Sequence, residues 1–195
     1  MIEASANDNS VTKEDIAEEA TTMSKHITRM ENYVNAMNRL QRLEDFELSC
    51  KPINLTELSK QLRDTAQILV SEKRLRFIPD LAQNASLMLD DEIIMQVYEN
   101  LLANAVRYAQ SKITVSLKSS ESSFSITVTD DGPGFTARDL AMATRPFYRA
   151  GDNDGTHLGL GLHICRVLCE RHNGSITLSN SKQGGGEITV CFGII

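Results

Sequence analysis

From Ile16 to Met37 apolar residues recur by fours and threes: Ile16, Ala20, Met23, Ile27, Met30, Val34 and Met37. That spacing keeps them on one face of a helix and forms a coiled-coil or bundle seam over three heptads. Thr12 reads as the N-cap, with Glu14 and Asp15 in the first turn. Neither Pro nor Gly interrupts the pattern before about Glu47, and Tyr33, Leu40 and Leu43 widen the apolar face. The expectation is a long amphipathic helix over residues 12–48. It requires a partner, either the rest of the chain or a second copy. Residues 1–11 are small and polar and read as a disordered N-terminus.

The pattern then changes to that of a mixed domain over residues 49–195. Lys51-Pro52-Ile53-Asn54-Leu55 reads as a short strand or linker. Residues 56–72 carry Leu58, Leu62, Ala66, Leu69 and Val70 at helical spacing. Leu75 to Pro79 and Ala85 to Leu89 alternate as strands around a polar turn at Gln83-Asn84. A helix is expected over 91–109. Ile113 to Leu117 and Phe124 to Thr129 form a hairpin across Ser119-Ser120-Glu121-Ser122. The stretch 135–158 reads as a long irregular loop, usually a lid or a disordered segment. A helix over 158–172 follows, and Ser175 to Ser179 then pairs with Glu187 to Phe192 around Gly184-Gly185-Gly186. Helices grouped against mixed strands predict an α/β fold, a two-layer α/β sandwich preceded by the long helix.

Candidate chemistry centres on Asp130-Asp131-Gly132-Pro133-Gly134-Phe135, at the end of the strand Phe124 to Thr129. An acid there accepts a hydrogen bond from an exocyclic amine, and the glycines let the backbone approach a ligand. Taken alone the stretch is equally a plain strand-to-loop turn. Upstream, Asn100 and Asn104 are four apart and share a helix face. Two amide oxygens suit a hard cation such as Mg²⁺, which leans on nucleotide phosphates. Downstream come Arg145-Pro146-Phe147-Tyr148-Arg149 and then Leu158-Gly159-Leu160-Gly161-Leu162, where a Gly-rich turn opens a helix and offers free N–H groups to phosphate. Neither a G-x-x-x-x-G-K-[ST] loop nor a dinucleotide fingerprint in a βαβ unit is present.

In order and spacing these four segments resemble the N, G1, F and G2 boxes of the histidine-kinase catalytic domain. That family belongs to the GHKL ATPases with gyrase and the MutL repair proteins. The resemblance implies ATP and Mg²⁺ as cofactors. It gives Asp130 the adenine amine and Gly132 and Gly134 the base pocket. Asn100 and Asn104 would take Mg²⁺ and the phosphate side, and Gly159 and Gly161, flanked by Leu158 and Leu160, the β- and γ-phosphates. Arg107, where the family commonly places Lys, would reach phosphate or else lie on a solvated helix face. Tyr108 would sit near base or ribose, or in the core. Phe147 would anchor the lid, and Arg149 would contact the γ-phosphate or remain a surface charge. Glu99 would orient a nucleophile, unless one helical step turns it away. Asn100 stands where gyrase-type relatives carry Glu, and an amide cannot act as a general base. The site should therefore hold ATP without rapid hydrolysis and await a histidine. His157 replaces a family glycine, which bears on lid geometry.

The ending Arg39-Leu40-Gln41-Arg42-Leu43-Glu44-Asp45 resembles the second helix of the kinase dimerisation and phosphoacceptor domain. The acceptor motif itself is missing, since His26 lacks the following acid and the nearby proline. The implied partners are a histidine supplied by another segment or chain, a response regulator aspartate, and a second copy through the long helix.

Composition narrows the picture further. Net charge is −6 and pI about 5.3, which argues against nucleic acid as the main partner. Cys50, Cys165, Cys169 and Cys191 show no metal-type pairing and read as reduced. No run spans a bilayer and no signal peptide is visible, so a cytoplasmic chain is expected, any membrane attachment lying in parts not present. A rival reading is a nucleotide-binding regulatory or scaffold domain that dimerises without phosphorylating. A third, an anti-sigma-type serine kinase, is disfavoured by the long helix.

Overall fold

A computed structural model describes residues 47–82, 85–150 and 158–194, together with positions 17, 19–24, 26–27, 30–31, 34 and 37–38. The expectations for residues 1–16, the Arg39 to Asp45 ending, Tyr33, the turn at Gln83-Asn84, and His157 lie outside the described residues. The described positions among 17–38 are helical, and on them Met23, Ile27, Met30, Val34 and Met37 are 39–69% exposed. His26 is helical and exposed as well.

The element order is β1 (Lys51–Asn54), α1 (Leu55–Leu69), β2 (Arg74–Asp80), β3 (Ser86–Leu89), α2 (Asp91–Tyr108), β4 (Lys112–Ser119), β5 (Ser123–Asp130), α3 (Ala137–Met142), α4 (Gly161–Arg171), β6 (Ser175–Asn180) and β7 (Gly186–Gly193). Helix starts follow from their caps. Asn54 Oδ1 accepts from Thr56 and Glu57 N–H to start α1. Asp90 Oδ1 accepts from Ile93 N–H to start α2, with Asp91 and Glu92 in the favourable first turn.

The main sheet has five strands in the order β2-β4-β5-β7-β6, with β2 parallel to β4 and the other pairs antiparallel. The register places Phe124 opposite Phe192, Ile126 opposite Val190 and Val128 opposite Ile188. One face of the sheet is therefore apolar, and it buries Ile113, Val115 and Leu117 of β4 beside these pairs. Helices α1, α2 and α4 cover that face. The other face carries hydroxyls, such as the Thr127–Thr189 pair at 2.9 Å. Burying each such Leu, Ile, Val or Phe contributes about 1.5–3 kcal/mol, so this layer dominates the stability. The two-layer α/β sandwich expected from the sequence is the fold found.

Three details differ. The two strands read around Gln83-Asn84 do not pair with each other. Instead β3 joins β1 in a small antiparallel sheet, and β2 crosses over to β4. The stretch 135–158 is not wholly irregular, because Thr136 and Asp139 close a capping box that starts α3. The last helix begins at Gly161 rather than Leu158, leaving the glycine turn outside it. Among the described residues no helix is long and apolar enough to cross a membrane.

Candidate functional site

Helix α2 brings Asn100 and Asn104 onto one face, one turn apart. Asn100 Nδ2 donates to the Gln96 carbonyl at 2.9 Å, which leaves Oδ1 facing Gly161; a Cβ there would lie 3.3 Å from that oxygen. Asn104 Nδ2 is shielded from solvent with no hydrogen-bond partner among the described residues, 4.0 Å from the same Cβ position. A buried unpaired donor costs on the order of 1–3 kcal/mol, so this amide suits an acceptor from outside the chain. Both asparagines thus meet the start of α4. Its N-cap, Leu160, makes no side-chain cap bond, so the helix presents its first N–H groups without one. Just ahead, Gly159 has φ +70 and lies so close to the Tyr148 carbonyl that a side chain would collide with it. Only glycine fits there.

Two adjacent acids at the end of β5 part ways. Asp131 accepts from the N–H groups of Gln110, Ser111 and Lys112 at 2.9–3.0 Å, and from Ser111 Oγ at 2.8 Å. The backbone bonds from Ser111 and Lys112 foremost hold its carboxyl far below the usual carboxylate range. Asp131 is spent on fixing β5 to the loop after α2. Asp130 points the other way. Its Oδ1 accepts from Gly132 N–H at 2.8 Å and Gly186 N–H at 3.3 Å. Its Oδ2 makes no hydrogen bond among the described residues and remains an open acceptor. Gly185, with φ +87, packs against the Asp130 carbonyl where no Cβ could fit.

These elements surround a cavity of about 470 Å³. Of the residues singled out from the sequence, Asn100, Asn104, Arg107, Tyr108, Asp130, Gly134, Arg149, Leu158, Gly159, Leu160 and Gly161 line it. The Arg107 guanidinium lies 5.5 Å over the Tyr108 ring. Glu99, Gly132 and Phe147 are not among the lining residues. Glu99 is exposed one helical step from Asn100, Gly132 lies against the Tyr108 carbonyl, and Phe147 is 39% exposed with φ 63.

The cavity also takes in residues to which the sequence reading gives no role in the site: Phe135, Asp139, Tyr148, Gly186 and Ile188. Phe135 is clamped by Asn180, whose Oδ1 accepts its N–H at 2.7 Å and whose Nδ2 donates to its carbonyl at 2.9 Å. Asp139 is buried. It accepts from Thr136 N–H at 2.8 Å, Thr136 Oγ1 at 2.7 Å and Tyr148 OH at 2.7 Å. Burial opposes its charge, yet the bonds from Thr136 and Tyr148 hold its carboxyl below the ordinary value. Thr136-Ala137-Arg138-Asp139 has capping-box spacing, the signal that could have found this group in the sequence. Among the described residues no cluster of His, Cys, Asp and Glu could hold a metal ion by itself.

Residues 89–194 match the family model described as histidine kinase-, DNA gyrase B- and HSP90-like ATPase. The chain is 31% identical to the heme sensor protein HssS of Staphylococcus saprophyticus over 142 residues, 72% of this chain and 30% of that protein. It is 37% identical to the sensor histidine kinase CpxA of Escherichia coli over 95 residues, 47% of this chain and 21% of that one. The chain thus spans less than a third of these curated relatives. Full-length ShkA in complex with AMPPNP superposes with a TM-score of 0.69 at 20% identity, covering 94% of this chain and 40% of that one. The Acinetobacter baumannii histidine kinase AdeS gives 0.65 at 20% identity over 89% of this chain and 83% of that one. At such identities the structures show a common fold.

Proposed function

We propose, for a chain that belongs to the histidine kinase-, DNA gyrase B- and HSP90-like ATPase family, the role of ATP-binding catalytic part of a two-component sensor histidine kinase. The observation that carries it is the single cavity gathering the open Asp130 carboxylate oxygen, the Asn100–Asn104 pair and the uncapped start of α4. Asp130 Oδ2 would accept the exocyclic amine of adenine, an acceptor that the guanine carbonyl at the equivalent position would repel. Asn104 Nδ2 and the first N–H groups of α4 would meet phosphate oxygens. The residues fit Mg²⁺ as well. Asn100, its Nδ2 already engaged by Gln96, turns a carbonyl oxygen toward Gly161, and amide oxygens with phosphates are the ligands Mg²⁺ takes. When bound, the ion neutralises phosphate charge. Arg107 and Arg149 border the same space and would add positive charge to the phosphate side.

In the transfer a histidine nitrogen attacks the γ-phosphorus as the bond to the bridging oxygen of ADP breaks, and ADP leaves. This chain's share is positioning and electrostatic stabilisation. With an amide at Asn100, no general base is offered to water there. The acceptor histidine would come from outside the chain, and the phosphoryl group would pass on to a response regulator aspartate. We assign residues 12–48 to a dimerising helix and 49–195 to the catalytic domain. The exposed, helically placed Met23, Ile27, Met30, Val34 and Met37 support self-association. The chain would work in the cytoplasm, with any membrane anchor in other parts of a longer protein.

Calorimetric titration with ATP in the presence and absence of Mg²⁺, with GTP as control, tests the reading. Selective binding of ATP, strengthened by Mg²⁺ and abolished in Asp130→Ala, is expected. Absence of ATP binding, or equal binding of GTP, would overturn it.

A further inference from the structure

Asp139 and Tyr148 form a buried pair that the transfer chemistry above leaves unused. Asp139 is 7% exposed, in a protein whose other carboxylates are mostly at the surface. Both of its oxygens are engaged. Oδ2 closes the capping box with Thr136, and Oδ1 takes the Tyr148 hydroxyl at 2.7 Å. Charge-assisted bonds of this length are about twice as strong as neutral ones, and burial removes competition from water. The pair closes a loop of structure. Thr136 fixes the start of α3, and the Ala143 N–H returns to the Asp139 carbonyl at 2.7 Å. Tyr148 then ties the chain beyond α3 back to the same carboxylate. On the far side of Tyr148, its backbone carbonyl presses on Gly159, the positive-φ residue that leads into the uncapped first turn of α4. Asp139, Tyr148 and Gly159 all line the cavity.

We propose that Asp139, acting through the Tyr148 hydroxyl, is a positioning residue that sets the Gly159 turn and thereby aims the first N–H groups of α4 at the nucleotide phosphates. The proposal rests on the ATP-binding reading. The mechanism is steric: the Tyr148 carbonyl occupies the place a Cβ would take at Gly159. A displaced Tyr148 therefore changes what the turn packs against. Asp130, which would read the base, is held separately by Gly132 and Gly186 and does not depend on this pair. The latch consequently bears on the triphosphate and not on adenine. This division distinguishes a positioning role from general support of the fold, which would weaken both parts of the ligand alike.

The test is titration of the whole chain with ATP and with adenosine, for the parent, Tyr148→Phe, Asp139→Asn and the double variant. Tyr148→Phe removes one oxygen and leaves the ring in place. Expected is a loss of about tenfold in ATP affinity in each single variant, with adenosine affinity unchanged. The double variant should lose no more than Asp139→Asn alone, because that change already breaks the Tyr148 bond together with the Thr136 cap. Unchanged ATP affinity in Tyr148→Phe, equal losses for ATP and adenosine, or additive losses in the double variant would each overturn the proposal. If Asp139→Asn does not fold, the ATP-to-adenosine ratio of Tyr148→Phe decides alone. A parent that binds neither ligand would instead remove the ATP reading on which the proposal rests.

Discussion

The ring of His172 accepts the backbone N–H of Asp90 through Nε2 at 3.0 Å. That bond fixes the tautomer, so Nδ1 carries the proton and donates to the Gly193 carbonyl at 2.8 Å. The imidazole is fully buried and meets the Phe192 ring edge-on at 5.6 Å. It acts as a bridge between the start of α2 and the end of β7, with Cys50 Sγ 3.9 Å from Nε2.

His172→Leu fills the space but strands the Asp90 N–H and the Gly193 carbonyl. Each orphaned buried group costs about 1–3 kcal/mol. Loss of about 3 kcal/mol in denaturant unfolding is expected. A variant within about 0.5 kcal/mol of the parent would show that water or a shifted backbone replaces both bonds.

Asp131 predicts a pH dependence. Its carboxyl is held below the ordinary value by N–H donors, so the folded state binds its proton less readily than the unfolded state does. Its contribution is then complete above the ordinary carboxylate range near about pH 4, and disappears as pH falls below it. Asp131→Asn should be less stable than the parent at neutral pH, with the gap narrowing toward about pH 3. A gap that stays constant across that range would mean the charge is immaterial.

Gly185→Ala adds a methyl group where the Asp130 carbonyl already sits, at a φ of +87 that alanine avoids. The strain, about 1–2 kcal/mol, would displace Asp130. Expected is weaker binding of ATP and adenosine together, in contrast to Gly184→Ala. Gly184 shares a positive φ of +91, but its added Cβ meets nothing within 4 Å. Equal binding losses in the two variants would mean that turn strain alone, without contact at Asp130, governs the site.

Tyr98 is fully buried and its hydroxyl has no hydrogen-bond partner among the described residues. Tyr98→Phe removes that unsatisfied group at almost constant volume. Stability should be unchanged or higher by about 1 kcal/mol. A clear loss on thermal unfolding would reveal an ordered water serving the hydroxyl.

Met30→Asp places a charge in the middle of the exposed stripe on the N-terminal helix, where Met30 is 69% exposed. Sedimentation should show a species of half the parent's mass. The parent's own value in both proteins would leave the stripe without a role in self-association.

Local periodicity revealed most of the elements and half of the site. Asn100 and Asn104 were legible because a helix repeat of 3.6 turns a spacing of four into a shared face. The strands β4, β5 and β7 were legible because their alternation is strict. What alternation cannot carry is pairing. Arg74 to Asp80 shows the period of a strand, but its parallel partner lies beyond a helix, and only packing selects it. The same limit hid the second layer of the site. Gly185 and Gly186 read as a hairpin turn, since nothing local tells that the turn folds back on Asp130. Asp139 falls in the stretch read as an irregular loop, although its cap with Thr136 was written in the spacing. Local pattern does not tell Asp130 from Asp131, which only the resemblance separates; in the structure they part where the loop after α2 arrives to claim the second.

The Asp90–His172 clasp has one more consequence. Asp90 Oδ2 also accepts the N–H of Ser49 at 2.8 Å, and the same ring holds Gly193. The points where the polypeptide enters and leaves the folded unit are thus knotted side by side on one small polar hub. A module built this way has almost no span of its own between entrance and exit. A pull on the two ends of the unit would be carried across the hub rather than through the sheet, sparing the cavity.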